Sequence, residues 1–276
     1  MPEHGASTAW KRFWERGGWW KGVLLAAVYY GLYMLGGLGI SAIAAPMLTD
    51  PNSPEFIVFA YVLPIAFGGL LLVLFALSLG WLKELFARQP IRGGKWMWMA
   101  VVLVLAFNVL RFATIDYGAA GFAKIAAWLL AGLFIGFAEE TLTRGFVVNL
   151  MRKAGHREIA VAVVSAAVFS ALHAGNLLGG QALFTTLLQL LYTFGFGICM
   201  YLALRATGNL IWPVLLHAST DPSIFLQTAY PAAGSLTAIA SMGNLPVIAF
   251  GLIAIIFIRG RVAQNNGLKI ENPVLG

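Results

Sequence analysis

Six side chains in this sequence carry acid–base chemistry inside or beside apolar stretches: Glu139, Glu140, Arg144, His173, His217 and Asp221. Ionisable groups at membrane depth are costly and ordinarily mark function. Glu140 and Arg144 stand at i and i+4, the spacing of an ion pair on one helix face. Glu139 is rotated by about 100° from Glu140 and faces Thr143, which leaves it as the carboxylate without a neutralising cation. A desolvated carboxylate of that kind can serve as a general base. His217 and Asp221 also share a face at i and i+4, and Phe169 lies one turn before His173. The bland alternative is an ion-pair network that only ties helices together. Such a network does not need two histidines.

These groups must be positioned by membrane helices, because the composition permits little else. Of 276 residues, 60% are hydrophobic and 11% are charged, against roughly 45–50% and 25% in soluble domains. A soluble fold of this length could not cover so much apolar surface. The single cysteine, Cys199, lies in an apolar run and reads as a small buried hydrophobe. The net charge of +7 does not point to nucleic acid, since the basic residues cluster in short segments between apolar runs.

Apolar stretches near the roughly 17–25 residues of one bilayer crossing fall at 22–45, 56–81, 96–115, 119–150, 158–175, 181–205, 209–230 and 237–259. The expected fold is therefore all-α, a single-domain polytopic bundle of about eight transmembrane helices, with the candidate catalytic side chains confined to a core at about 119–230. The fourth span exceeds one crossing. The seventh contains Pro213 and Pro222, and Pro222 disfavours a regular helix at Asp221, so a broken helix lining a cavity is expected there. The first span is too long for a signal-peptide core and reads as an uncleaved helix.

Basic loops (Lys11 to Lys21, Lys83 to Lys95, Arg152 to Arg157, Arg205, Arg259 and Arg261) alternate with loops that lack Lys and Arg. That alternation predicts both termini on the cytoplasmic side of a multi-pass protein, in a bacterial inner membrane if size is a guide. It also sets depth. At about 1.5 Å per residue, Glu139 and His173 lie roughly 20 Å above the turn near Arg152. Asp221 and His217 lie roughly 18 and 12 Å from the loop near Asn209. All four groups reach a similar level and can converge. His4 and His156 fall in basic flanks and read as solvated; Arg111 and Asp116 suit a snorkelled pair. Trp19, Trp20, Trp96 and Trp98 fit interfacial belts. The tail after Arg261 reads as polar and loose.

In order along the chain, Glu139-Glu140-Thr141-Leu142-Thr143-Arg144, Phe169-Ser170-Ala171-Leu172-His173 and His217-Ala218-Ser219-Thr220-Asp221 form E-E-x-x-x-R, F-x-x-x-H and H-x-x-x-D. This ordered set resembles the CAAX protease and bacteriocin-processing (CPBP, or Abi) family of intramembrane endopeptidases. The resemblance implies peptide-bond hydrolysis within the membrane. Glu139 would activate water with His173, Arg144 would hold Glu140, and His217 with Asp221 would bind the oxyanion. Asp221 stands where some members have Asn, and it could instead orient His217.

Glu139, His173, His217 and Asp221 could also ligate zinc with an open water position, although the sequence holds no H-E-x-x-H. The metal-free reading is preferred. The expected partners are a membrane protein or peptide substrate and the lipid bilayer. A proton-coupled transporter, whose relays also use intramembrane Glu, Asp and His, is the competing class. It predicts inverted repeats, and none is evident.

Overall fold

The computed structural model describes residues 8–262, and these are mostly helical, with two isolated bridges and no strands. His4 and the tail beyond residue 262 lie outside the described residues. An amphipathic helix α1 (Ala9–Glu15) precedes the membrane bundle. Among the described residues, seven helices are long and apolar enough to cross a bilayer: α2 (Trp19–Ile43), α3 (Pro54–Leu79), α4 (Lys95–Ala113), α5 (Phe122–Lys153), α6 (Glu158–Leu177), α7 (Leu183–Thr207) and α9 (Ser235–Phe257).

The remaining long helix, α8 (Ile211–Ala229), misses that apolar standard because it carries His217, Ser219, Thr220, Asp221, Ser223 and Gln227. It nevertheless runs the depth of the bundle. Next to its start, Asn209 donates to the Phe86 carbonyl at 2.7 Å, among the basic loops. Just beyond its end, the Tyr230 carbonyl accepts from the Asp116 amide at 2.8 Å, and the Ala232 amide bonds Thr114 O at 2.9 Å.

The expected break at Pro222 does not occur; α8 is continuous through it. Proline removes the amide that would bond the Ala218 carbonyl. The carbonyls to either side of it accept from side chains, with Thr220 Oγ1 on Leu216 O at 2.9 Å and Ser223 Oγ on Thr220 O at 2.6 Å. Serine and threonine are the residues that make a proline tolerable in a membrane helix. Pro213 sits in the first turn, where no helical hydrogen bond is forfeited.

α7 is the most enclosed of the spans, and it packs against α6, α9 and α4. Lipid-facing positions elsewhere are apolar: Leu35 and Leu38 on α2, Leu74 on α3, Val102 and Val109 on α4, and Phe184 on α7 are all exposed.

Loops bearing Lys and Arg gather at one end, and a buried carboxylate organises them. Glu158, fully enclosed, accepts from Arg152 through two oxygens at 2.9 and 2.6 Å, from Arg205 at 3.0 Å, and from Tyr201. Arg205 also donates to Arg92 O at 3.0 Å, and Arg152 to Gln89 at 2.5 Å. One acid thus joins α5, α6, α7 and the loop before α4. At the same end Lys153 pairs with Glu15 at 2.6 Å and Glu84 at 2.8 Å. Burial alone would raise the Glu15 carboxyl, but hydrogen bonds from Lys153 and Trp81 hold it below its ordinary value.

Removing one partner of a buried ionic cluster leaves uncompensated charge. Glu158→Ala is therefore expected to cost about 3–5 kcal/mol, read as a lowered midpoint of thermal unfolding in detergent.

Candidate active site

The helix α5 changes pitch where the site begins. Residues Thr141–Val147 form a π-helical turn directly after Glu139 and Glu140. Such wide turns concentrate at functional sites because they rotate side chains out of the regular register. Here the turn carries Thr143 and Arg144 inward, both fully buried. Arg144 NH1 stands 3.2 Å from Glu140 Oε1, and NH2 donates to the Gly197 carbonyl on α7 at 2.9 Å. Its guanidinium also lies 4.6 Å over the Phe169 ring of α6, a favourable cation–π placement.

The same Glu140 oxygen receives His217 Nδ1 from α8 at 2.7 Å. A carboxylate can only accept here, so Nδ1 carries the proton. Phe196 and Phe169 set their edges against the His217 ring at centroid distances of 4.9 and 5.6 Å. The imidazole is thereby fixed in position by one carboxylate and two aromatic rings.

Its other nitrogen faces the open side of the site. His217 Nε2 lies 3.7 Å from Glu139 Oε2 and 3.7 Å from Asp221 Oδ2. The Glu139 and Asp221 side chains are 19% and 23% exposed, whereas Glu140 is at 0%. Glu139 Oε2 itself is buried and has no protein hydrogen-bond partner among the described residues. Thr143, expected to face Glu139, bonds its backbone carbonyl at 2.5 Å rather than its carboxylate.

His173, at the last turn of regular helix on α6, bonds the Phe169 carbonyl through Nδ1 at 3.0 Å. A carbonyl only accepts, so Nδ1 is protonated and Nε2 keeps its lone pair in the neutral ring.

α8 is held against α5 by close backbone approach. A Cβ on Gly132 would fall 2.5 Å from Ala218 O and 2.6 Å from Pro222 Cδ. On Gly136 it would fall 2.6 Å from both Ala218 N and Val214 O. This small-xxx-small pair sets Glu139 and Glu140 beside His217.

Zinc-type donors are present, and each histidine bonds a protein oxygen through Nδ1 while its Nε2 is left for another partner, a pattern that metal-bound histidines share. Among the described residues, no group of three or more His, Cys, Asp or Glu side chains is arranged to hold a metal ion.

Residues 121–222 match the family model described as type II CAAX prenyl endopeptidase, Rce1-like. This Rce1-like segment runs from the start of α5 to Pro222 on α8 and contains all six residues singled out above. It agrees with the resemblance read from the three motifs. No curated protein and no solved structure matches the chain.

Two features of the Rce1-like segment's surroundings escaped the sequence reading. Asn108 on α4 donates to Thr220 Oγ1 at 2.8 Å, Ser219 Oγ at 2.9 Å and Leu216 O at 3.3 Å, bracing the turn that carries His217. An asparagine in an otherwise apolar span was the available signal. The other is Tyr29 on α2, buried with its hydroxyl unpartnered among the described residues. Arg111 and Asp116 do not pair: Asp116 caps a short turn through the Ala119 amide at 3.0 Å, and Arg111 turns inward to Asn244 at 2.7 Å.

Gly136→Leu is expected to cost about 1–3 kcal/mol or more through overpacking. Gly31→Leu, where an added Cβ meets nothing within 4 Å, is expected to stay within about 0.5 kcal/mol. Thermal unfolding of the two variants side by side checks this.

Proposed function

We infer that the protein is an intramembrane endopeptidase that hydrolyses a peptide bond of a membrane-associated protein or peptide, without a metal. The observation that carries this reading is the pairing at His217. One ring nitrogen is fixed by the enclosed Glu140, and the other lies 3.7 Å from Glu139, with which no Lys or Arg among the described residues pairs. The match of residues 121–222 to the CAAX endopeptidase family supports the same class of activity. The basic end of the bundle faces the cytoplasm in this reading, following the positive-inside rule.

Glu139 accepts a proton from a water molecule as the water oxygen attacks the peptide carbonyl. A C–O bond forms, and the carbonyl π electrons move onto oxygen. His217, as imidazolium, turns its Nε2–H to that oxyanion while Nδ1–H stays on Glu140. A donor fixed in advance at the place where charge develops typically gives the largest electrostatic contribution to the rate. The proton on Glu139 then passes to the leaving nitrogen as the C–N bond breaks, and the carboxylate is restored.

His173 offers its Nε2 lone pair to the same water and orients it. Asp221, an acceptor when ionised, holds the positive charge on His217 instead of donating to the oxyanion. Arg144 neutralises Glu140, so the pair anchors the histidine without competing for the water's proton.

Reconstituted enzyme offered a quenched peptide library is expected to lose about 10²–10⁴-fold in rate with Glu139→Ala, His173→Ala or His217→Ala. Cleavage that survives all three changes would remove the peptidase reading. A strong chelator is expected to leave the wild-type rate unchanged. Loss of activity with zinc-specific recovery would reassign Glu139, His173, His217 and Asp221 to a metal.

A further inference from the structure

Three of the buried arginines face a buried carboxylate: Arg144 has Glu140, and Arg152 and Arg205 share Glu158. Arg111 differs. It is only 3% exposed, yet among the described residues no carboxylate lies within ion-pair distance of it. Its guanidinium meets two amide oxygens, Asn244 Oδ1 at 2.7 Å and Asn108 Oδ1 at 3.5 Å. Amide oxygens carry partial charge only, so a full positive charge stays uncompensated in a low-dielectric setting. That arrangement is expensive unless an anion completes it.

The guanidinium lines a cavity of about 290 Å³ between α4, α8 and α9. Gln227, Thr228, Ser241 and Asn244 also face it, and among the described residues no hydrogen bond uses the Thr228 hydroxyl or the Asn244 side-chain N–H, which leaves donors beside the cation. Gln227 Nε2 already bonds Ser241 Oγ at 2.8 Å, which ties α8 to α9 and keeps the wall in place. The cavity lies two residues from the end of α4, at the level where residues 114–116 meet 230–232. That is the end of the bundle opposite the basic loops, at the depth of an interface where lipid phosphates lie.

We propose that this cavity binds a phosphate group on Arg111, supplied either by the headgroup of an anionic phospholipid or by free phosphate. A planar guanidinium is the side chain best suited to bidentate phosphate binding. The bound group would sit one relay from the catalytic helix, because Asn108, which accepts from Arg111, also donates to the turn bearing His217. The proposal does not depend on the peptidase reading.

The test is the thermal unfolding midpoint of delipidated full-length protein in neutral detergent. One arm compares sodium phosphate with sodium chloride at equal ionic strength. The other compares micelles doped with phosphatidylglycerol against micelles doped with diacylglycerol of the same chains. At about a hundredfold excess over Kd, the wild-type midpoint is expected to rise by roughly 5–10 °C. A rise in both arms assigns the site to phosphate as such, and a rise with the lipid alone assigns it to the headgroup. Arg111→Gln is expected to abolish the rise. Should that variant fail to fold, Thr228→Phe, which adds a ring at the cavity wall without changing a residue that bonds the guanidinium, is expected to diminish it too. No rise in the wild type in either arm, or an undiminished rise in the variants, overturns the proposal.

Discussion

The arrangement turns on one carboxylate. Glu140 Oε1 is shared by Arg144 at 3.2 Å and His217 at 2.7 Å, with all three side chains almost wholly out of solvent. Arg144 extends the connection to α7 through Gly197 and to α6 through the face of Phe169. Four helices therefore meet around a single buried charge. Breaking such a cluster at one member leaves the others unpaired, at a cost of about 3–5 kcal/mol. The tight crossing of α5 and α8 at Gly132 and Gly136 makes the bond to His217 short enough to form.

Adjacent glutamates acquire opposite roles from this geometry. Glu140 points into the bundle, where its Oε1 is shared by two partners and its Oε2 is buried without one among the described residues. Glu139, one residue earlier and about 100° around the helix, reaches the side of the site where Asp221 and His173 are partly exposed. The π turn that follows strengthens the separation, since it buries Thr143 and Arg144 together. In the proposed mechanism the inward carboxylate confers position, and the outward one does the chemistry.

Much of this was legible in the sequence because the signals were local. Span positions follow from runs of apolar residues, and each of the eight expected spans corresponds to a long helix within a few residues. The Glu140–Arg144 pair follows from i, i+4 spacing on one helix. What could not be read depends on contacts between helices. That His217 bonds Glu140 and not only Asp221 is a matter of how α5 and α8 cross. The bracing of α8 by Asn108, and the inward turn of Arg111 away from Asp116, were hidden for the same reason. Pro222 misled through a local rule that tertiary context overrode, since Thr220, Ser223 and the close approach of Gly132 sustain the helix around it. The seven helices that meet an apolar threshold show the same principle in reverse: α8 falls short because it carries the site.

The most direct measurement takes the two isosteric amides, Glu139→Gln and Glu140→Gln, and records thermal midpoint and peptide hydrolysis for each. The account predicts that Glu139→Gln unfolds close to the wild type yet loses at least about a hundredfold in rate. Glu140→Gln should lose stability and rate together. A Glu139→Gln enzyme that still hydrolyses peptide at the wild-type rate would contradict the division of labour between the two glutamates. So would a Glu140→Gln protein as stable as the wild type.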